Sequence, residues 1–191
     1  MDPKIQPQLC LSWSRHVPIR VETVQPLDPR REVYRLNLET CQELHGLPTV
    51  VIIKKMKDDW HDEFKQEIKA YERLKPLQGS VIPVFFGQAT FNDSPVLVLS
   101  EVVGKTLQDL AHSGLPISLK ELQRKLEKAM RLLHAYGAEY LDQRLDNFFL
   151  CDGTGEVMVV DLEQVEFPGD LEDWKHSVNY GGGGLSFISI Q

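Results

Sequence analysis

With 191 residues, 42% of them hydrophobic, the chain can bury one good core, or one small core plus part of a second. Its 28 acidic and 21 basic side chains leave a net charge of -7, which argues against nucleic-acid and anionic-membrane surfaces, since both need a clustered positive field. The three scattered cysteines, Cys10, Cys41 and Cys151, lack zinc or disulfide spacing; with a polar start and no apolar run long enough for a bilayer, they predict a soluble cytosolic or nuclear protein.

Residues 1–19 carry three prolines and little periodicity, so an arm or irregular edge is expected. Next, the runs IRVETVQPL and REVYRLNLE flank a turn at LDPR, predicting a β-hairpin whose tip carries Arg30 and Arg31 and no glycine. After His45, Gly46 and Pro48 turn the chain, VVII predicts a strand ending in Lys54 and Lys55, which point to opposite faces. Trp60, Phe64, Ile68, Tyr71 and Leu74 recur at spacings of four and three, the mark of an amphipathic helix, closed by Pro76 and Gly79. Glu67 shares the face of Phe64, Tyr71 and Leu74, and a carboxylate at the edge of a buried stripe needs a partner; Glu63 and Glu72 fit ordinary surface charge equally well.

Two further strands, VIPVFFGQA and SPVLVLSEVV, are joined by the polar turn FNDS, and TLQDLAHSGLP reads as a short helix and turn. A long helix follows in ISLKELQRKLEKAMRLLHAYG. Ser118 and Glu121 form a capping-box signature, Leu122, Leu126, Ala129, Met130 and Leu133 make the apolar face, and Gly137 suits the stop. In residues 140–163, Asp142 and Asn147 stand five apart; NFFLC and VMVVD then form a hairpin across CDGTGE, and Asp161 ends the second run. Oxygen-bearing side chains at such loop ends suit a hard divalent cation and the phosphates it bridges.

The order LHAYG, LDQRLDN, hairpin and VVD resembles the catalytic loop and metal-binding segment of protein kinases, and VIIKKM resembles the strand that carries their phosphate-binding lysine. The variant loop with VVDLEQVEF is most similar to divergent kinase-like domains of filamentous fungi. This resemblance implies an α+β kinase-like fold with a small β-rich N-lobe and one helix (residues 20–103). A truncated, mainly helical C-lobe would occupy residues 104–167, after an arm at 1–19 and before an acidic helix and glycine-rich tail at 168–191. It also implies ATP and Mg2+ as cofactors. Asp142 would orient and deprotonate a hydroxyl, Arg144 would steady the transferred phosphoryl group, and Asn147 and Asp161 would hold the metal. Lys54, or Lys55 after a one-residue shift, would hold the α- and β-phosphates, paired with Glu67; Ser100 and the backbones of Glu101 and Val103 would face the adenine.

The pattern is incomplete. The first hairpin lacks the glycines that let backbone amides approach phosphate, Tyr140 and Leu141 replace the residues that usually precede the aspartate, and Leu162 and Glu163 follow Asp161 in place of Phe and Gly. Glu163 adds either another metal oxygen or a charge that repels phosphate. Two functions are therefore expected as alternatives: phosphotransfer from ATP to a protein or small-molecule hydroxyl, or an inactive kinase-like binding module that works through partners. No nucleic-acid or membrane partner is expected.

Overall fold

The computed structural model describes residues 7–11, 19–39, 46–114 and 117–169. The described residues form two compact units, one drawn from residues 7–62 and 84–101 and the other from residues 63–83 and 102–169. The expected acidic helix and glycine-rich tail lie outside the described residues, apart from residues 168 and 169.

The first unit is a closed antiparallel barrel of six strands: β1 (Gln8–Leu11), β2 (Ile19–Asp28), β3 (Val33–Leu38), β4 (Val50–Lys55), β5 (Phe85–Phe91) and β6 (Ser94–Leu99), in the order β1-β2-β3-β4-β6-β5. Alternation dictates its core. Leu9, Ile19, Val21, Leu36, Leu38, Val51, Ile53, Ala89, Phe91, Val96 and Val98 fall at every second position of their strands and form one buried cluster. The glycine-free turn between β2 and β3 is a 3-10 turn over Pro29–Arg31, and Glu32 takes the left-handed position with φ 56°. Between β5 and β6, Asn92 and Asp93 both have positive φ (49° and 61°), the mirror-image turn that suits a two-residue hairpin.

Strand β1 decides the architecture. It pairs with β2 through Gln8↔Arg20 and Leu9↔Ile19, and with β5 through Leu9↔Phe91, Cys10↔Thr90 and Leu11↔Ala89. Four residues from the stretch read as an arm thus close the sheet on itself, which removes its free ends. The second unit also contains five short strands: β7 (Gly104–Thr106), β8 (Glu139–Tyr140), β9 (Phe148–Cys151), β10 (Val157–Val159) and β11 (Val165–Glu166). They form a three-stranded sheet, β10-β9-β7, and a two-stranded ladder, β11-β8. The kinase-like fold implied by the motif order is therefore not the fold of this chain: a closed barrel stands in place of the expected small lobe, and only three α-helices occur among the described residues. Motif spacing is local information, whereas closure depends on pairing between residues about 80 positions apart, as in the Leu9↔Phe91 pair.

The helices follow their sequence patterns. Helix α1 (His61–Arg73) buries Phe64, Glu67, Ala70 and Tyr71, with Leu74 just beyond; of the expected stripe, Ile68 is only half-buried and Trp60 precedes the helix, exposed beneath Lys57. Helix α2 (Leu107–Ser113) is capped by Thr106, whose hydroxyl accepts from Asp109 N. Helix α3 (Leu119–Ala135) starts at Ser118, whose hydroxyl accepts from Glu121 N at 3.2 Å, and buries Leu122, Leu126, Ala129, Met130 and Leu133. No helix among the described residues is long and apolar enough to cross a membrane.

Candidate functional site

The acidic loops lie in the second unit. Helix α3 ends where Gly137 takes φ 76°, its N–H donating to His134 O at 2.8 Å and that of Ala138 to Leu133 O at 3.0 Å, a glycine-dependent stop. The chain then passes through β8 into a loop closed by Asn147. That side chain is fully buried, and its Nδ2 donates both to the Asp142 carbonyl at 2.9 Å and to Asp142 Oδ2 at 2.8 Å. The five-residue spacing seen in the sequence is thus a stapled turn, in which the amide fixes the carboxylate's direction.

Arg144 completes this group. Its Nε lies 2.9 Å from Asp142 Oδ1 and 3.9 Å from Asp146 Oδ1. Burial works against the guanidinium's charge, but its hydrogen bond to Asp142 and the fields of Asp142, Asp146 and Asp161 outweigh that and raise its pKa. Asp161 therefore lies within electrostatic reach of the Asp142 loop.

Asp161 sits between β10 and β11 on a backbone held from both sides. Val160 N donates to Asn147 O at 2.9 Å, and the Tyr140 hydroxyl donates to Val160 O at 3.0 Å. Tyr140 is itself fully buried and meets the Phe148 ring edge-on at 5.9 Å. Asp161 has φ 64°, a left-handed conformation that aspartate tolerates better than most residues with a side chain. On its far side Leu162 N donates to Glu67 Oε1 at 3.2 Å.

These constraints gather Glu67, Asp161 and Glu163, one carboxylate oxygen of each lying within 4.8 Å of the others. A hard cation that binds oxygens at about 2.0–2.6 Å draws its ligands to about 3–5 Å of one another, so the donor set fits such an ion. Glu67 is buried at 1% exposure, while Asp161 and Glu163 are half-buried. Tyr71 is also buried nearby. Its burial, then the fields of Glu67, Asp161 and Tyr140, push its hydroxyl pKa well up, so it stays a neutral phenol and adds no charge to the acids.

No protein-family model matches this sequence, and no curated protein matches it. The resemblance to protein kinases therefore rests on the local order of the motifs, and the barrel overturns it at the level of fold.

The residues singled out from the sequence divide between the units. Asp142, Arg144 and Asn147 come together, and Asp161 stands with Glu67 and Glu163. Of the three glutamates weighed on α1, only Glu67 is buried; Glu63 and Glu72 are exposed. Lys54, Lys55 and Glu101 belong to the barrel unit. There Lys54 is the buried lysine, on the strand face opposite Val51 and Ile53, whereas Lys55 pairs with Glu32 at 3.3 Å. The Glu101 side chain is held by Arg35 at 2.6 Å, and Ser100 Oγ accepts from Val84 N. Val103, in the second unit, is 61% exposed, and its carbonyl accepts from Asp152 N at 2.9 Å, so that oxygen already has a main-chain donor. Sequence reasoning missed the Tyr140 hydroxyl as a brace behind Asp161, because a tyrosine after a helix carries no signal of which carbonyl it will reach.

Proposed function

We propose that this protein binds a divalent cation, Mg2+ in the first instance, at Glu67, Asp161 and Glu163, and transfers a phosphoryl group from ATP to a hydroxyl of a protein or small molecule. The observation that carries the reading is the three-carboxylate cluster, set beside a stapled Asp142–Asn147 loop that shares its electrostatic field through Arg144. When bound, the cation would supply charge neutralisation on the phosphates.

Each side chain then has a task. Asn147 holds Asp142 in one orientation, and Asp142 would accept the proton of the incoming hydroxyl. Arg144, whose side chain is 57% exposed, would turn from Asp142 to pair with phosphate oxygens by two hydrogen bonds. Asp161 and Glu163 would hold the cation from one short segment, and Glu67 would reach it from α1 while its Oε1 accepts from Leu162 N.

A second reading has its own support. Both oxygens of Asp142 are already engaged, one by Arg144 and one by Asn147, which favours a non-catalytic cation- or nucleotide-binding module that acts through partners. Incubation with radiolabelled ATP, Mg2+ and a mixed set of protein and polyol acceptors separates the two. Transfer that depends on Mg2+ and is lost in Asp142→Asn establishes phosphotransfer. ATP binding without transfer, equal in wild type and Asp142→Asn, leaves the binding module as the function.

A further inference from the structure

The segment that carries Asp161 and Glu163 has little regular structure of its own. It comprises one left-handed residue, a turn and the two-residue strand β11, which pairs with β8 only through Val165↔Tyr140 and Glu166↔Glu139. A ladder this short is marginal alone. Three side chains of α1 reach it. Glu67 Oε1 accepts from Leu162 N at 3.2 Å, Gln66 Nε2 donates to Val165 O at 2.8 Å, and the Arg73 guanidinium lies 4.2 Å over the Phe167 ring. Gln66 and Arg73 are seven residues apart, two helical turns, and so lie on one stripe of the helix. The contacts fall on both sides of Glu163: Leu162 before it, Val165 and Phe167 after it.

From this arrangement, and resting on the cation reading above, we infer that α1 is a clamp on the cation-binding segment, with Gln66 and Arg73 as positioning residues that set where Glu163 stands relative to Asp161 and Glu67. Neither residue offers the cation an oxygen in this role. The helix supplies one ligand, Glu67, and fixes the segment that supplies the other two. Cation binding and docking of α1 on residues 162–167 are then linked: what strengthens one must strengthen the other.

The test uses Mn2+ as the probe, with affinity measured by calorimetry and α1 amide protection by hydrogen exchange, on wild type, Gln66→Leu, Arg73→Leu and Arg73→Lys. Loss of the Gln66 hydrogen bond is expected to weaken Mn2+ binding by about five- to tenfold. It is also expected to reduce the protection that Mn2+ gives to the amides of residues 66–73. Arg73→Leu should weaken binding in the same direction and Arg73→Lys should restore it, since an ammonium also sits over an aromatic face. Wild-type affinity in Gln66→Leu and Arg73→Leu would overturn the clamp and leave the cation site standing, as would a lower melting temperature in chelator with affinity unchanged. Absence of Mn2+ binding to wild type would remove the cation site and the clamp together.

Discussion

Replacing Asp161 by Asn removes one charge from the cluster and preserves both volume and the tolerance for φ 64°. Two unit charges 4.8 Å apart, the upper separation in the cluster, repel by about 3 kcal/mol at an effective dielectric of 20 and by about 1 kcal/mol in water. A divalent cation offsets repulsion on this scale, and Asp161 supplies one of its three ligands. With Mg2+ at 100 times its dissociation constant, wild type gains about 2.7 kcal/mol, or about 5–10 °C in melting temperature for a chain of this size, and Asp161→Asn should lose most of that gain. Thermal melts of both proteins across a Mg2+ titration check this. If Mg2+ raises both equally, the cluster is not a cation site and the argument from charge is wrong.

Two further outcomes follow from the second unit. A Cβ at Gly104 would run into the Leu150 main-chain carbonyl and lie 2.9 Å from Cys151 Cα, in a backbone conformation that side chains avoid, so Gly104→Ala should cost about 3 kcal/mol or more by separating β7 from β9. Chemical denaturation measures it, and a loss under about 1 kcal/mol would mean that the strands part easily. The Glu156 carboxyl is held below its ordinary value by a hydrogen bond from Lys128, partly opposed by burial and reinforced by the fields of Lys128, Lys125 and Arg124. A depressed folded-state pKa gives stability that is present above the ordinary pKa and lost as pH falls through the folded one. Lys128→Met should hence melt slightly below wild type at pH 6, by under about 1 kcal/mol because both groups are over a third exposed, and the gap should close by about pH 3. A gap that persists at pH 3 would assign it to packing.

Much of the local structure is legible in the sequence because its causes are local. Ser118 caps α3 where the capping-box signature falls, the apolar stripe of α3 is the buried stripe, Gly137 stops it, and the FNDS turn joins β5 to β6. Asp142 and Asn147 stand out in the sequence through the order of motifs that resembles protein kinases, and the structure joins them in one stapled turn. Glu67 was recognisable as unusual because a carboxylate on an apolar stripe is itself a local anomaly.

What the sequence could not give is every feature set by distant partners. The fragment QLCL carries no period long enough to read, yet β1 closes the barrel by meeting β5, and that pairing replaces the kinase-like fold implied by the motif order. Glu67 joins Asp161 and Glu163 across about 95 residues because Leu162 N needs an acceptor and α1 presents one, and Tyr140 braces Asp161 because its hydroxyl is buried within reach of Val160 O. The sequence by itself determined the three α-helices and several of the turns, and it marked Glu67 as one candidate among the acids of α1. Tertiary structure alone decided which acids meet and whether the sheet closes, since periodicity and capping act over a few residues while buried polar groups and unpaired strand edges are satisfied only across the fold.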